Sequence, residues 1–229
     1  MRTLMTGGSG QLGTEILKLD SSILAPSRGL MDIYYYESVE RELYYSKPDT
    51  VLHLAAETDC LMHNSRPELG IKNNIIGTAN VVLACMQFNM RLVYVSTDYV
   101  YSGHGPHREN EPVRPPYNFG WSKLGGECSV IMCPNSLILR LSFGPRPFPW
   151  EKVYEGQLNS KLYVDEIAGL VLRASKSTAT GVMNLGGPVT TLEAYARRTK
   201  PDIATMPCPE WVPKDTSLDL TRMARELCE

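Results

Sequence analysis

No two cysteines in this sequence are spaced C-x-x-C, so its six cysteines form neither a paired zinc motif nor a dithiol redox motif. Histidine is scarce, with four residues in 229. His104 and His107 lie close together, but no third ligand follows at useful spacing and Gly105-Pro106 separates them. That predicts a solvated loop rather than a metal site. No apolar run approaches the ~18–20 residues that span a bilayer. Gly7, Gly8 and Gly10 come too early to leave room for the apolar stretch of a signal peptide. An excess of either charge is missing too, since 23 Lys plus Arg face 25 Asp plus Glu, a formal −2. A chain built to coat nucleic acid or an anionic membrane would need clustered cations. Tyr34-Tyr35-Tyr36 and Tyr44-Tyr45 lack interleaved basic residues, so they read as helix–sheet packing instead of a base-stacking platform.

What remains is the balance of an ordinary globular chain, 43% apolar and 21% charged. This length buries a full core without staples and fits one domain or one and a half. The cysteines, at 60, 85, 128, 133, 208 and 228, read as reduced thiols behaving as small hydrophobes, with Cys128 and Cys133 inert in the core. The expectation is a cytoplasmic protein without metal, nucleic-acid or membrane partners.

Apolar runs and helical patterns alternate along the chain. Leu4-Met5-Thr6, Ile23-Leu24-Ala25, Thr50 to Ala56, Leu92 to Ser96, Ser136 to Arg140 and Val182 to Leu185 read as strands. Gln11 to Leu19, Glu37 to Ser46, Ile71 to Asn89, Tyr117 to Val130 and Val164 to Ala174 read as helices, with short ones near 192–198 and 221–227. Continuously apolar strands separated by such helices predict an α/β fold, a doubly wound parallel sheet with right-handed crossovers. No linker appears. Residues 1–145 are expected to form the dinucleotide-binding part, and 146–229 a reduced lobe packed and interleaved with it.

Thr6-Gly-Gly-Ser-Gly-Gln-Leu-Gly13 stands between the first strand and the first helix, with glycines at 7, 10 and 13. Such glycines let backbone N–H groups approach a pyrophosphate at a helix N-terminus. Gly7, Gly10, Gln11, Leu12 and Gly13 are therefore the candidate cradle. Cofactor choice is read at the end of the second strand. An acid there would bond the 2′-hydroxyl of NAD; this chain has Ser27-Arg28, and arginine can pair with a 2′-phosphate. NADP is the expected cofactor, with Asp32 and Ile33 placed to reach the adenine edge.

Five further segments follow in order: His53-Leu-Ala-Ala56, Asn74-Ile-Ile-Gly-Thr78, Ser96-Thr-Asp-Tyr-Val-Tyr101, Pro115-Pro-Tyr-Asn-Phe119-Gly-Trp-Ser-Lys123-Leu-Gly-Gly-Glu127 and Asp215-Thr-Ser-Leu-Asp219. With the glycine turn, these resemble the extended short-chain dehydrogenase/reductases, nearest to the branch of dTDP-4-dehydrorhamnose reductases and related nucleotide-sugar reductases. The resemblance is strong over 1–145 and thin beyond. It implies an NADPH-dependent oxidoreductase whose substrate is a 4-keto deoxysugar nucleotide, working alone or as a homodimer. It adds Ala55 and Ala56 to the cofactor site and gives Asn74 a place in a water-mediated proton path.

In that family a Thr orients the carbonyl, a Tyr protonates it, and a Lys four residues later lowers the Tyr pKa while holding the nicotinamide ribose. Here Thr97 and Lys123 match, but the Tyr slot holds Phe119. A phenyl ring has no transferable proton, and losing a general acid costs ~10²–10⁴ in rate. Phe119 is either an introduced Tyr→Phe change or the mark of a naturally weakened or non-catalytic relative. Tyr117, two residues earlier, would lie roughly 200° around a helix. On the substrate side the resemblance points to Asp98, with Arg140 and Phe143 near the crevice for phosphate pairing or ring stacking, the other reading of a strand-end Arg140 being a structural ion pair; Asp165 reads as a helix N-cap. An epimerase of the same superfamily and a non-catalytic NADP-binding regulatory subunit, as in methionine adenosyltransferase, are the alternatives. Tyr99 directly after Asp98 disfavours a dehydratase.

Overall fold

The computed structural model describes residues 2–210 and 212–227; Cys228 lies outside them. Five strands form one parallel sheet: β1 (Thr3–Thr6), β2 (Thr50–His53), β3 (Arg91–Val95), β4 (Ser136–Leu141) and β5 (Gly181–Leu185), side by side in that order. Each step of the sheet is in direct register, as in Thr6 against His53 and His53 against Tyr94. Consecutive residues point to opposite faces of a strand, and two cores result. Met5, Leu52, Val93 and Leu139 face one side with helices α1 (Gln11–Leu19) and α5 (Val164–Lys176). Leu4, Val51, Leu92 and Ile138 face the other, with α2 (Tyr36–Ser46) and α3 (Thr78–Gln87). Helices on both faces are why the strands are apolar without alternation.

The segment 23–25 is reduced to a single bridge, Leu24 beside Leu4 on the outer edge of β1. Pro26 lacks the N–H that would carry the ladder further. The chain still crosses from this edge back over β1 to β2. The switch in direction falls between β1 and β2, which is where ligands bind in such sheets.

Several local expectations change. The helix predicted from Ile71 begins earlier, as Pro67–Gly70 runs through a wide π-helical turn, Ile71–Gly77, into α3. The run Pro67–Gln87, 21 residues of mean hydropathy 1.2, is long and apolar enough to cross a membrane. Lys72, Asn73, Asn74 and Asn80 hid it in the sequence, and 44% of its most apolar 18-residue window is buried inside the molecule. The helix after Tyr117 is α4 (Asn118–Val130). Tyr35, Tyr44 and Tyr45 are exposed, so that part of the tyrosine cluster does not pack on the sheet, whereas Tyr34 and Tyr36 do. Cys128 is exposed and Cys133 buried. His107 is buried as well, stacked on Tyr101 with ring centroids 4.8 Å apart and bonded through Nδ1 to Glu111 at 2.9 Å. Its predicted solvation fails because the segment 215–219 covers it, Ser217 accepting the His107 N–H and His107 accepting that of Asp219.

Beyond β4 the chain leaves the main sheet and returns to it. Residues 164–185 supply α5 and β5 to the main sheet, while 143–163 and 186–218 build a small lobe of two- and three-residue strands around Phe148, Val153, Tyr163, Tyr195 and Ile203. Asp165 is in the first turn of α5 and pairs with Arg146 at 2.9 Å; the N-cap position is Tyr163.

Candidate active site

β1 ends in the glycine turn. Gly7 takes φ +73°, a conformation that L side chains rarely adopt, and a Cβ there would stand 2.7 Å from the Ala55 backbone nitrogen. A Cβ on Gly13 would stand 2.5 Å from the Gly7 carbonyl oxygen. The turn, the start of α1 and the Leu54–Ala55 backbone after β2 thus touch at backbone distance. Gly10 is the N-cap of α1 and offers no side chain to the first-turn N–H groups, including those of Gln11, Leu12 and Gly13. Uncapped N–H groups at the positive end of a helix, at the switch point of the sheet, suit a diphosphate. The residues present fit the dinucleotide that the sequence pattern implies.

Beneath the turn runs a buried hydrogen-bonded chain. Thr6 Oγ1 meets His53 Nδ1 at 2.7 Å and accepts the Ala55 N–H at 3.1 Å, and His53 Nε2 meets Thr78 Oγ1 at 3.0 Å. His53 stacks on Tyr94, and burial, with Lys123 nearby, pushes its pKa down to about 3. The imidazole is a neutral connector. On the outer side Arg28 is exposed, 3.4 Å from Asp32 and over the Tyr34 ring, with Ser27 exposed beside it. Asp32 also accepts the Tyr34 N–H, while Ile33 is buried against Gly77. Ala56 is half-buried.

Past β3 the chain turns through Thr97 into a tight 3-10 turn, Asp98–Val100. Thr97 Oγ1 accepts the Tyr99 N–H at 3.2 Å and donates to Asp98 Oδ1 at 3.2 Å. α4 packs across β3 and this turn. Phe119 and Lys123 on it are buried. The Lys123 ammonium stands 4.2 Å over the Tyr94 ring; burial pulls its pKa down to about 7, opposed by the carboxylate of Glu127. Phe119 is edge-on to His63, with centroids 5.4 Å apart, and to Tyr99 at 6.4 Å. Tyr117 also rests against Tyr99, at 5.1 Å. It precedes the helix in extended conformation (φ −152°, ψ 170°), so the helical-wheel placement on the opposite face does not apply. Asn74 is fully buried, accepting the Glu57 N–H and donating to the Glu57 carbonyl and the Ser122 hydroxyl.

Arg140 forms the structural ion pair, one of its two readings. Its guanidinium is buried, paired with Glu127 at 2.7 Å and bonded to the Tyr101 hydroxyl at 2.9 Å, so it is committed to the interior and not presented to a substrate phosphate. Phe143 is half-buried against the main core beneath the small lobe. Three residues near the turn were given no role from the sequence. Lys161 and Thr216 approach Asp98 from the small lobe, as does Cys60 from the helix Cys60–Ser65. No local pattern marks Lys161 or Cys60, and Thr216 lies in the segment 215–219 without an assigned role. Glu127 was legible in principle, being four residues after Lys123 on one helix face.

The family model described as the RmlD substrate binding domain matches residues 1–144. A dTDP-4-dehydrorhamnose reductase of Streptomyces griseus is 34% identical over 136 residues, 57% of this chain and 45% of the relative. Methionine adenosyltransferase 2 subunit beta of Xenopus laevis is 28% identical over 142 residues, 57% of this chain and 42% of that protein. The chain spans about half the length of these curated relatives. A crystal structure of dTDP-4-dehydrorhamnose reductase from Bacillus anthracis in complex with NADP superimposes with a TM-score of 0.86 at 22% identity, covering 98% of this chain and 92% of that one. That likeness is one of fold.

Proposed function

We propose a reductase reading for this chain, which belongs to the family of the RmlD substrate binding domain: NADPH-dependent reduction of a 4-keto deoxysugar nucleotide of the dTDP-4-dehydrorhamnose type. One observation carries it. The glycine turn, Thr97 and the helix bearing Lys123 converge on one edge of the sheet, with Thr97 and Lys123 both buried. The first-turn amides around Gly7, Gly10, Gln11, Leu12 and Gly13 would hold the pyrophosphate. Ser27 and Arg28 would take the 2′-phosphate, Asp32 and Ile33 the adenine edge, and Ala55, Ala56 and Lys123 the nicotinamide half. A bound reduced nicotinamide supplies hydride. Thr97 orients the sugar carbonyl, Asp98 stands beside the sugar, and residues 1–145 serve the cofactor while 146–229 serve the substrate. The setting is cytoplasmic.

NADPH consumption with a dTDP-4-keto-6-deoxysugar tests this reading, and NADPH is expected to bind more tightly than NADH. No consumption by the protein or by its Phe119→Tyr variant would overturn it; equal or reversed affinities would overturn the cofactor choice. A second reading has its own observation. Phe119 is packed between His63 and Tyr99 without a proton to give, which suits a non-catalytic NADP-binding subunit. A stoichiometric partner enzyme recovered with the chain, together with an inactive Phe119→Tyr variant, would decide for it. A same-superfamily epimerase is set apart by a change at the sugar without net NADPH loss. We also propose a homodimer, with Ile76, Leu83 and Met86 of the 67–87 run beside Trp121 and Ile131 as its exposed apolar face; sedimentation at a monomer mass would remove it.

A further inference from the structure

The acid missing at 119 has a neighbour capable of replacing it. Asp98 is 1% exposed. Among the described residues no cation comes within ion-pair distance of it. Its carboxyl accepts the Thr97 hydroxyl at 3.2 Å, with Thr216 close by and Lys161, Cys60, Tyr99 and Tyr117 the other titratable groups around it. Burial favours the uncharged acid.

Resting on the reductase reading, we propose that Asp98 is the proton store of this site, delivering its proton to the substrate oxygen through the Thr97 hydroxyl. The hydrogen-bond capacity of Thr97 permits this. Its oxygen has two acceptor positions and one proton. The Tyr99 N–H fills one position at 3.2 Å; Thr97 donates to Asp98 Oδ1 at 3.2 Å while the carboxyl is ionised, and protonation of Asp98 reverses that bond and fills the second position. The hydroxyl proton is then free to point at a carbonyl oxygen. As hydride from a reduced nicotinamide reaches the carbonyl carbon, the π pair moves to oxygen. That oxygen takes the Thr97 proton, and Thr97 takes the Asp98 proton. The dinucleotide is oxidised, the ketone becomes an alcohol, and the Asp98 carboxylate regains a proton from water. Thr216 and the Lys161 ammonium oppose the transient negative charge. Asp98 acts through Thr97, so its role is that of a relay. Burial sets the carboxyl up to about 6, whereas it drives the Tyr99 and Tyr117 phenols further from donation.

The test is a double-mutant cycle on single-turnover NADPH oxidation, with Asp98→Asn made in the native chain and in the Phe119→Tyr background. In the native chain the substitution is expected to cost ~10²-fold. A phenol at 119 bypasses the relay, so the cost there falls by tenfold or more. The native rate declines as pH rises through about 6, and Asp98→Asn removes that decline. Difference infrared spectra of native chain against Asp98→Asn, taken without substrate, show a protonated-carboxyl band that titrates away with the same midpoint. An equal cost in both backgrounds, or no such band, overturns the relay while leaving the reductase reading intact. If Phe119→Tyr itself never consumes NADPH, the reductase reading falls and the relay with it.

Discussion

The Ser96 hydroxyl donates to a Glu127 carboxylate oxygen at 2.5 Å, fastening the end of β3 to the helix that carries Lys123. Glu127 also grips Arg140 of β4 at 2.7 Å, with both side chains buried. One carboxylate therefore joins two strands to α4. Removing one member of a buried pair leaves an uncompensated charge and costs ~3–5 kcal/mol. Glu127→Ala is expected to lose about that much in denaturant unfolding, and a loss below ~1 kcal/mol would show that the clamp is not structural.

Phe119→Tyr is expected to raise NADPH-dependent reduction at least tenfold, within the ~10²–10⁴ that a general acid supplies. The slot is already aromatic and nearly closed, so the ring keeps its packing against His63 and Tyr99. Initial rates with a verified 4-keto sugar nucleotide measure this, and an unchanged rate retires the idea.

Arg28→Ala tests the cofactor preference. The side chain is 69% exposed and its ion pair with Asp32 is long, so unfolding stability should move by less than ~0.5 kcal/mol. Hydrogen bonds to charged groups contribute ~1.5–3 kcal/mol. Calorimetric titration should therefore show NADPH affinity lowered tenfold or more and NADH affinity nearly unmoved. A parallel loss for both dinucleotides would locate selectivity elsewhere.

His53 makes the fold acid-sensitive. Its folded pKa lies near 3, chiefly through burial, whereas an unfolded histidine takes its proton near 6.5. Because the unfolded chain binds the extra proton, this stability is present above about pH 6.5 and is lost as pH falls from there toward 3. Asp98 has the opposite sign, its stabilising effect declining as pH rises from 3.8 through about 6. Unfolding free energies of the native chain and His53→Gln, compared from pH about 7 to about 4, should differ in slope by up to ~1.4 kcal/mol per pH unit. Identical slopes would show that His53 titrates normally in the fold.

Much of the site could be read along the chain because its signals are local. The glycine spacing, the apolar strands and the four-residue step from Phe119 to Lys123 depend on neighbours within a turn or two, and the structure keeps them. Local pattern misjudged His107, Cys128 and the exposed tyrosines and left Arg140 between two readings, because burial depends on what arrives from elsewhere. His107 is covered by a segment over a hundred residues later, and Arg140 meets its carboxylate only when β4 lies under α4.

The sequence by itself determined the alternation of strands and helices, the glycine turn and the absence of a phenol at 119, since backbone freedom, periodicity and side-chain identity are properties of the chain. Only the tertiary structure decided that Asp98 is buried beside Thr97, Thr216 and Lys161, and that Arg140 belongs to Glu127. Desolvation and ion pairing are set by distance in space, and residues 98, 161 and 216 are neighbours only after the sheet and the small lobe have closed together.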